Sequence, residues 1–409
     1  MQFSFLRDTI IHYVALFLCV LFTVIILGTD DLLAQVVESD PATHDITKPL
    51  ILNRLTGPLE LDGVVDEAAW AAITPVPLIQ YQPIFGGEMS EVTEIRVAYD
   101  DEYLWVSAKL FESDESNIRA NTLTRDLSSS DDILAIVLDT FKDNENALWF
   151  STTPLGTRID RAVSGDAEFV GGGFESVMNS SWNTYWDAVS TMTDEGWFSE
   201  MRIPYSSLGF QDVNGRVEMG MILYRYMART SERHIYPPVR PEFNLGFVKP
   251  SQSQTIVLED VKSANPIYIT PYISGGMVQE AELNEAGTAY ELNEDISRDI
   301  GGDIKYSVTD NLTLDVTLNT DFAQVEADAQ QVNLTRFSLF FPEKRQFFQE
   351  RAGIFNFATG SVDRVFHSRQ IGISDSGLVS IFAGGRLVGR TGGWDIGAIN
   401  MQTLTSDAL

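Results

Sequence analysis

The sequence predicts an all-β protein, in which an antiparallel β-sandwich is followed by the first strands of an outer-membrane-type β-barrel, which is predicted to be incomplete. Short apolar runs broken by turn residues recur between residues 51 and 262, which is typical of a sandwich. After Pro266, apolar and polar residues alternate in longer stretches. Each stretch has about ten residues, the length of a tilted strand that crosses a membrane.

Changes in composition and in the spacing of apolar residues divide the chain into four predicted segments. A chain of 409 residues is also too long for one ordinary domain. The predicted segments are a signal peptide at 1–35, a linker at 36–50, a β-sandwich at 51–262 and a partial β-barrel at 263–409, which carries an insert at 321–361.

The first residues predict export from the cytoplasm. Arg7 precedes an apolar run from Ile10 to Leu27, and LLAQ then offers a small residue for cleavage, as in a secretory signal peptide. The run is also long enough to span a bilayer, so an uncleaved signal anchor is the alternative. Cys19 is the only cysteine and lies inside this run. A cleaved chain would therefore have no disulfide and no thiol chemistry.

Acidic residues dominate the charge of the chain, which is −30 at neutral pH. A face that binds nucleic acid needs clustered Lys and Arg, and the sequence shows no such cluster. The acidity suits a soluble extracytoplasmic protein, or one that binds cations such as calcium. We therefore expect no nucleic-acid partner.

The clearest sandwich signal is TEIRVAYDDEYLWVSAKLFES, residues 93–113, which is typical of a β-hairpin. Ile95, Val97 and Tyr99 alternate with polar neighbours, and DDE then turns the chain. The next strand repeats the alternation on one face. Further short strands are predicted in DDILAIVLDT, ALWFSTTPLG, GWFSEMRIPYSSLGF and VEMGMILYRYMART.

The clearest barrel signal is RDIGGDIKYSVTDNLTLDVTLNTD, residues 298–321. Its even-numbered positions are mostly apolar and its odd-numbered positions mostly polar. Further strands are predicted at 267–277, 378–390 and 393–402, joined by links that alternate between long (278–297, 321–377) and short (TDN, RTGG). Outer-membrane barrels show this alternation, with the short turns on the periplasmic side. A soluble antiparallel sheet with one wet face is the alternative.

Residues 59–72, LELDGVVDEAAWAA, resemble the opening of a family 9 carbohydrate-binding module, with Asp62, Gly63, Glu67 and Trp70 at the positions of the motif. The resemblance continues in VAYDDEYLWVSAKLFE, DDILAIVLD and GWFSEMRIPYSSLG, and covers most of residues 51–262. It implies a sugar-binding β-sandwich in which two tryptophans clamp the sugar ring.

Residues 311–355, from NLTLDV to ERAGIF, resemble the domain-of-unknown-function family 5916. Two positions depart from the pattern of that family: Gln346 stands where a proline is usual, and Arg351 where a glycine is usual. The resemblance implies an outer-membrane barrel joined to a periplasmic or surface sugar-binding-like domain, with no established activity.

Exposed aromatic rings are the candidates for saccharide binding, because sugar C–H groups stack on the negative ring face. Trp70 and Trp197 lie in the structural signature and are assigned to the core. The alternative for the other aromatics is packing between the sheets. The candidates are Trp105, Trp149, Trp182, Tyr185 and Trp186.

Calcium is the candidate cofactor, and no other is expected. DLSSSDD and DTFKDNEN offer carboxylate oxygens at loop spacing, although neither fits a twelve-residue calcium loop. Solvated turns are the alternative. The candidate ligands are Asp126, Asp131, Asp132, Asp139, Asp143 and Glu145.

The motif FFPEKRQFF, residues 340–348, is predicted to belong to an insert that folds into the polar lumen of the barrel. Its charged residues Glu343, Lys344 and Arg345 would then pair with lumen-facing residues such as Asp303, Lys305 and Asp315. An extracellular loop with its own small core is the alternative.

The sequence carries no signature that favours an enzyme. The histidines of the predicted mature chain, His44, His234 and His367, are far apart, and no nucleophile elbow, phosphate loop or dinucleotide fingerprint occurs. Arg225, Arg229 and Glu232 are interpreted as an ion-pair set between sandwich and barrel.

The functional prediction is an exported, non-catalytic outer-membrane protein with a periplasmic N-terminal domain. Its expected partners are polysaccharide or oligosaccharide and outer-membrane lipid, and its expected role is polysaccharide binding, uptake or catabolism. Two alternatives are a glycoside hydrolase, and a structural envelope or secretion component with a vestigial sugar module.

Overall fold

The structure is a computed structural model that describes residues 48–403, apart from 129, 169–176, 263–266, 284–287, 310–311, 321–342, 344, 350, 356–364, 375–376 and 392–393. The described residues all belong to one compact unit, His44–Leu409. The predicted signal peptide at 1–35 and most of the linker at 36–50 lie outside the described residues. The predicted segment boundaries remain predictions.

Two sheets form a sandwich in the first part of the chain, which confirms the all-β prediction. The large sheet contains β1 (Leu50–Ile51), β3 (Ile79–Gln82), β6 (Ile133–Asp139), β7 (Ala147–Thr152), β8 (Arg158–Val163), β9 (Met178–Asn179), β12 (Asp212–Val213), β13 (Arg216–Met227), β14 (Glu232–Tyr236) and β15 (Gln254–Leu258). The small sheet contains β2 (Asn53–Arg54), β4 (Thr93–Tyr99), β5 (Tyr103–Phe111), β10 (Asp187–Thr193) and β11 (Gly196–Pro204), in the order β10-β11-β5-β4-β2.

The core lies between these two sheets because each strand turns alternate side chains inward. Ile95 and Val97 of β4 pack with Leu134 and Ile136 of β6 in one cluster of fully or almost fully buried residues. Trp197 is also part of this core, as the sequence predicts. The predicted hairpin is observed as β4 and β5, with Val97 opposite Val106.

The outer face of each sandwich sheet is covered by the chain itself. On the small sheet, helix α1 (Ala68–Ala71) places Trp70 against a cluster that includes Trp105 and Phe198. On the large sheet, Phe247 stacks on Tyr224, with ring centroids 4.9 Å apart. The sandwich therefore buries aromatic residues on both sides of its sheets as well as between them.

A third sheet, called here the long-stranded sheet, follows the sandwich. It contains β16 (Ile267–Leu283), β17 (Tyr290–Thr309), β18 (Leu312–Leu318), β21 (Ile381–Thr391) and β22 (Trp394–Thr403), all antiparallel and in this spatial order. Two further short strands, β19 (Ile373–Ser374) and β20 (Gly377–Leu378), pair only with each other among the described residues.

The hairpin of β16 and β17 is longer than the sequence predicts. The acidic stretch 278–297 was expected to be a link, yet residues up to Leu283 and from Tyr290 onward belong to the two strands. Leu292 and Ile296 continue the period-2 alternation through this stretch. Acidic residues in this stretch do not prevent backbone pairing, because β-propensity depends strongly on context.

The two faces of the long-stranded sheet differ in chemistry. One face exposes apolar side chains from adjacent strands, in register: Ile269 lies opposite Ile304, which in turn lies opposite Val316. We call this the apolar face. Its exposed residues are Ile267, Ile269, Ile273, Met277, Ile296, Ile300, Ile304, Tyr306, Val308, Leu318, Trp394 and Ile396, and Arg298 is a charged residue among them.

The opposite face is polar and is covered by residues of the predicted insert. Arg386 of β21 is buried, donates to Asp315 Oδ2 of β18 at 3.1 Å and donates to the carbonyl of Phe347 at 3.2 Å. Its guanidinium carbon lies 5.6 Å from the ring centroid of Phe355. The polar face of this sheet therefore packs against protein while its apolar face is exposed.

Two positions that depart from the resembled family have a backbone explanation. Gln346 is the first residue of helix α2 (Gln346–Gln349), a position for which the fixed φ of proline is well suited. Arg351 has φ +46°, in the left-handed region that glycine adopts most easily. At both places this chain carries a residue that suits the observed backbone conformation less well than the residue usual in the resembled family.

None of the helices in the described part of the chain is long and apolar enough to cross a bilayer.

The interpretation of Arg225, Arg229 and Glu232 as a link between sandwich and barrel is wrong. Arg225 of β13 is buried and donates to Thr93 Oγ1 of β4 at 2.7 Å, and Arg229 pairs with Glu112 at 3.0 Å. Glu232 is buried in the same sandwich. Arg225 therefore joins the large sheet to the small sheet, because its buried guanidinium finds its acceptors in or next to β4 and β5.

Candidate functional site

The candidate saccharide site is the segment between β9 and β10, residues 180–186, called here the aromatic loop. Trp186 is buried with its ring centroid 5.4 Å from that of Phe150, in an edge-to-face contact. Trp182 is half-buried, 6.0 Å from the same phenylalanine ring. Tyr185 is 77% exposed. The loop is thus anchored by two tryptophans and presents one tyrosine to solvent.

An ion pair between half-buried Arg125 and buried Asp160 holds the backbone of the aromatic loop. Arg125 Nη2 donates to Asp160 Oδ1 at 2.6 Å, to Asn183 Oδ1 at 2.8 Å and to the carbonyl of Thr184 at 3.2 Å. The other carboxylate oxygen of Asp160 accepts the Thr184 N–H at 2.8 Å. Burial raises the pKa of Asp160, and the Thr184 N–H and the Arg125 charge counteract that rise. These contacts fix the backbone next to Tyr185.

Two further arginines meet at the first residue of β10. Asp187 Oδ2 pairs with Arg202 at 2.6 Å, and Asp187 Oδ1 pairs with Arg158 at 3.3 Å. Arg158 also donates to the carbonyl of Trp186. The Arg202 guanidinium lies over the ring of Tyr103, 4.9 Å from its centroid. One carboxylate therefore serves two guanidiniums beside the aromatic loop.

The aromatic loop is also connected to the long-stranded sheet. Ser207 Oγ donates to the carbonyl of Tyr185 at 2.6 Å. The neighbouring residue Ser206 accepts a hydrogen bond from Tyr268 Oη of β16 at 2.9 Å. Tyr185 is therefore near the point where the chain enters the long-stranded sheet.

The predicted saccharide-binding aromatics are not brought together in one place. Trp105 is 4% exposed and lies on the outer side of the small sheet, where its Nε1 donates to Asp100 at 2.7 Å. Trp149 is 5% exposed and packs with Tyr224 on the outer side of the large sheet. Packing is the role that their burial favours. Only Trp182 and Tyr185 keep ring surface accessible at the aromatic loop.

The carboxylates predicted as calcium ligands lie at the end of β6 and in the segments before and after it, where most of them accept backbone N–H groups. Asp139 accepts from Asp143 at 3.1 Å and from Asn144 at 2.8 Å. Asp143 in turn accepts from Glu145 at 2.9 Å, and its Oδ2 lies 3.8 Å from Arg351. Asp126, Asp131 and Asp132 also accept hydrogen bonds within the sandwich. Calcium binding by this set remains a prediction.

Three carboxylates elsewhere lie close enough to share a cation, and the sequence analysis did not single them out as ligands. One ligand atom from each of Asp62, Glu67 and Glu200 lies within 4.8 Å of the others. Glu200 is fully buried and accepts from the Trp70 indole at 2.9 Å. Burial raises the pKa of Glu200, and the Trp70 hydrogen bond counteracts the rise. Only the motif spacing of Asp62 and Glu67 signals this grouping in the sequence.

Of the residues predicted to contact the lumen, Glu343 and Arg345 are described and Lys344 lies outside the described residues. Arg345 donates through Nε to Glu343 Oε1 at 2.9 Å and through Nη2 to Glu343 Oε2 at 2.8 Å. It also donates to the carbonyls of Ser368 and Ile371, at 2.7 Å and 2.9 Å. The hydrogen bonds to Ser368 and Ile371 tie the insert to the segment before β19, and the two-pronged pair with Glu343 holds the guanidinium in place.

The titration of Asp139 should make the sandwich less stable as pH rises from 4 to 7. Burial, with the Asp143 charge beside it, raises the pKa of Asp139 from 3.8 to about 6. A raised carboxyl pKa means that the folded state holds the proton more tightly. The stabilisation is complete below about pH 4 and is lost as pH rises through 6, amounting to roughly 3 kcal/mol at most.

We expect Asp139→Asn to flatten this dependence. Urea midpoints followed by tryptophan fluorescence at pH 4, 5, 6 and 7 would measure it, and Asp194→Asn, in an exposed turn, is the matched control. Parallel midpoint curves for Asp139→Asn and the unmodified protein would contradict the assignment.

Residues 267–383 match the model of a family described as a domain of unknown function, DUF5916. The resemblance stated for residues 311–355 lies within this match and is confirmed. A comparison with curated proteins finds no match.

Solved structures similar to this chain include carbohydrate-binding proteins. A family 9 carbohydrate-binding module from Caldicellulosiruptor kristjanssonii in complex with cellotriose is 16% identical, covers 53% of this chain and 95% of its own, and has a TM-score of 0.35. A family 9 carbohydrate-binding module from the same organism in complex with glucose is 16% identical, covers 53% of this chain and 97% of its own, and has a TM-score of 0.34. A candidate carbohydrate-binding protein from Bacteroides uniformis is 13% identical, covers 52% of this chain and 99% of its own, and has a TM-score of 0.40.

Proposed function

We propose that this chain is an exported, non-catalytic envelope protein that places its long-stranded sheet in the lipid of an outer membrane and binds saccharide through its sandwich. Its role would be to hold polysaccharide or oligosaccharide at the membrane for uptake or breakdown. The apolar face of the long-stranded sheet is the observation that carries this proposal.

Exposed apolar surface of this extent needs a partner. Soluble monomers rarely expose contiguous apolar patches larger than a few hundred Å². Here isoleucines from β16 and β17 lie side by side, and Ile269, Ile304 and Val316 continue the row into β18. Lipid suits this face because its residues are mainly aliphatic over the length of a membrane strand. Tyr306 and Trp394 lie near the end with the short turns, where interfacial aromatics are enriched.

The charged residues on the polar face of the same sheet are a second observation in favour of lipid contact at the apolar face. Lys305, Asp315 and Arg386 stand in one cross-strand row, and Asp315 and Arg386 are buried. Charged residues on the protein-facing side and apolar residues on the other are the arrangement of a membrane barrel strand.

The position of the short links in the long-stranded sheet favours a periplasmic location for the sandwich. Arg390, at the end of β21, lies 3.9 Å from Asp143 of the sandwich, and Tyr268, at the start of β16, bonds to Ser206. The short links β17–β18 and β21–β22 are at this same end. Outer-membrane barrels have their short turns on the periplasmic side.

Vesicle flotation of the full chain tests the lipid assignment. The chain would be refolded with vesicles of phosphatidylethanolamine and phosphatidylglycerol and centrifuged through a density gradient. We expect it to float with lipid and to change gel mobility on boiling. A chain that stays in buffer without detergent and runs alike boiled and unboiled would contradict the proposal.

Tyr185→Ala is expected to weaken saccharide binding by the full chain in detergent micelles, because it removes the exposed ring of the aromatic loop. Loss of one stacking aromatic should weaken binding by roughly tenfold or more. A glycan array measures this, with Tyr290→Ala, an exposed tyrosine on β17, as the matched control. If Tyr185→Ala binds as the unmodified chain does, the site lies elsewhere. If the unmodified chain binds no glycan, the sandwich is vestigial.

A further inference from the structure

We propose that part of the insert is a releasable cover on the polar face of the long-stranded sheet, held to the sandwich by an ionic latch at Arg351. Closed, the cover keeps water and its solutes away from that face, and open, it admits them. The cover consists of residues 345–349 and 351–355, called here the docked segment. It involves neither the aromatic loop nor the apolar face.

The docked segment contacts the polar face of the sheet at two points. Arg386 of β21 donates to the carbonyl of Phe347 at 3.2 Å. Gly397 of β22 faces the end of the segment, where a Cβ would lie 2.5 Å from Ile354 Cγ2 and 3.0 Å from Phe355 Cζ. Glycine permits this close approach because it has no side chain. Packing therefore sets where the segment lies on the sheet.

Arg351 joins the same segment to the sandwich and to β22. Its Nη2 lies 3.8 Å from Asp143 Oδ2 of the sandwich and 3.4 Å from Asp395 Oδ1 of β22. Its guanidinium carbon lies 4.4 Å from the ring centroid of Phe141. Arg390 of β21 lies 3.9 Å from each of the two carboxylates. The latch consists of these two arginines and two aspartates, whose charges balance.

The latch can open without unfolding the protein. Because charged groups regain their hydration when an ion pair separates, such a pair contributes little net free energy, and salt weakens it further. Arg351 also has φ +46°, a left-handed conformation that costs a non-glycine residue free energy unless its surroundings hold it there. Opening relieves this cost. The neighbouring contact with the sandwich is polar too, since a Cβ at Gly353 would lie 3.4 Å from Asn146 Oδ1.

The face beneath the cover is one that water can enter. Asp315 and Arg386 are buried there as an ion pair at 3.1 Å. Thr317 lies on the same side of β18 as Asp315, two residues along, and is fully buried. Uncovering polar and charged groups costs less than uncovering apolar ones, because water hydrates them. The docked segment therefore covers a surface that is stable both dry and wet.

The test measures how fast a water-soluble maleimide alkylates a single cysteine beneath the cover. Cys19 is the only cysteine of the chain, so Cys19→Ser combined with Thr317→Cys provides one reporter. Val213→Cys in the same background, at an exposed position of β12, is the control reporter to which rates are normalised. The full chain would be studied in detergent micelles at about 50 mM and about 500 mM sodium chloride, where screening differs strongly.

Three variants open the latch in different ways. Arg351→Gln removes its charge, and Arg351→Gly removes the side chain together with the cost of the left-handed backbone. Asp143→Asn removes the partner charge, while its side-chain oxygen can still accept the backbone N–H groups that Asp143 binds. Arg240→Gln, an exposed arginine of the sandwich paired with Glu242, is the matched control.

We expect the Thr317→Cys reporter to react roughly a hundredfold more slowly than the Val213→Cys reporter, and each latch variant to speed it roughly tenfold at low salt. Arg240→Gln should leave the rate unchanged. High salt should speed the reaction when the latch is intact and have little effect on the latch variants. The urea midpoint of Arg351→Gly should not fall, since opening is local.

Three results would overturn the inference. The first is equal rates for the two reporters, which would mean that the polar face is not covered. The second is a rate at Thr317→Cys that none of the latch variants changes. The third is a gain in rate that appears only with a matching fall in the urea midpoint, because general unfolding would then explain it.

Discussion

Replacing Glu200 by Ala is expected to lower the free energy of unfolding of the sandwich by about 3 kcal/mol. The Glu200 side chain is fully buried. Its Oε2 accepts the backbone N–H of Asp62 at 3.2 Å and that of Gly63 at 3.1 Å, and its Oε1 accepts the Trp70 indole N–H at 2.9 Å. Alanine would leave these three donors without their acceptor and open a cavity beneath α1.

Urea unfolding followed by tryptophan fluorescence would measure this loss. Glu218→Ala, an exposed glutamate on β13 paired with Arg216, is the matched control and should change stability by less than about 1 kcal/mol. Glu200→Gln should fall between the two, because its amide oxygen still accepts while its NH₂ group meets other donors. A loss in Glu200→Ala no larger than in Glu218→Ala would show that the three donors find other acceptors.

Replacing Ile304 by Arg is expected to cost about 2–4 kcal/mol in the transfer of the folded chain from water to lipid. Ile304 is exposed on the apolar face, between Ile269 and Val316 of the neighbouring strands. A guanidinium at this depth would have to be desolvated by hydrocarbon or reach for the interface. The fraction of refolded chain that floats with vesicles, measured over a range of lipid concentrations, gives the difference in free energy.

Val213→Arg is the matched control for this substitution, because Val213 is also an exposed aliphatic residue but belongs to β12 of the sandwich. It should leave the partition unchanged. Ile304→Leu keeps the chemistry of the apolar face and should behave as the unmodified chain does. Identical partition of Ile304→Arg and Val213→Arg would mean that the apolar face does not enter lipid.

Local periodicity explains why the strands of the long-stranded sheet could be predicted from sequence. A strand places successive residues on opposite faces, so the alternation around Ile304 and Asp315 already separates an apolar from a polar side. The extension of β16 and β17 through 278–297 could not be predicted in the same way. Pairing between the two strands, which lies outside any one window of sequence, decides where such a hairpin ends.

The candidate site depends on contacts between distant residues, which single-sequence reasoning does not supply. Trp182, Tyr185 and Trp186 lie within five residues of one another, yet the two tryptophans pack against Phe150 of β7 and Tyr185 is exposed. The position of Phe150, more than 30 residues earlier in the chain, decides this difference. The arginine at 125 meets Asp160, 35 residues away. The motif that contains Asp62 could be recognised in the sequence. Its buried partner Glu200 on β11 could not, because it lies 138 residues from Asp62 along the chain.

The antiparallel order of the long-stranded sheet has a consequence for how a ring could close in lipid. Because direction reverses at each of the four pairings from β16 to β22, these two edge strands run the same way. A second copy inserted with the same orientation would present β22 to β16 as a parallel neighbour, which the all-antiparallel pattern of membrane barrels disallows. Completing such a ring therefore calls for an odd number of added strands, and the resulting total is even, as in bacterial outer-membrane barrels.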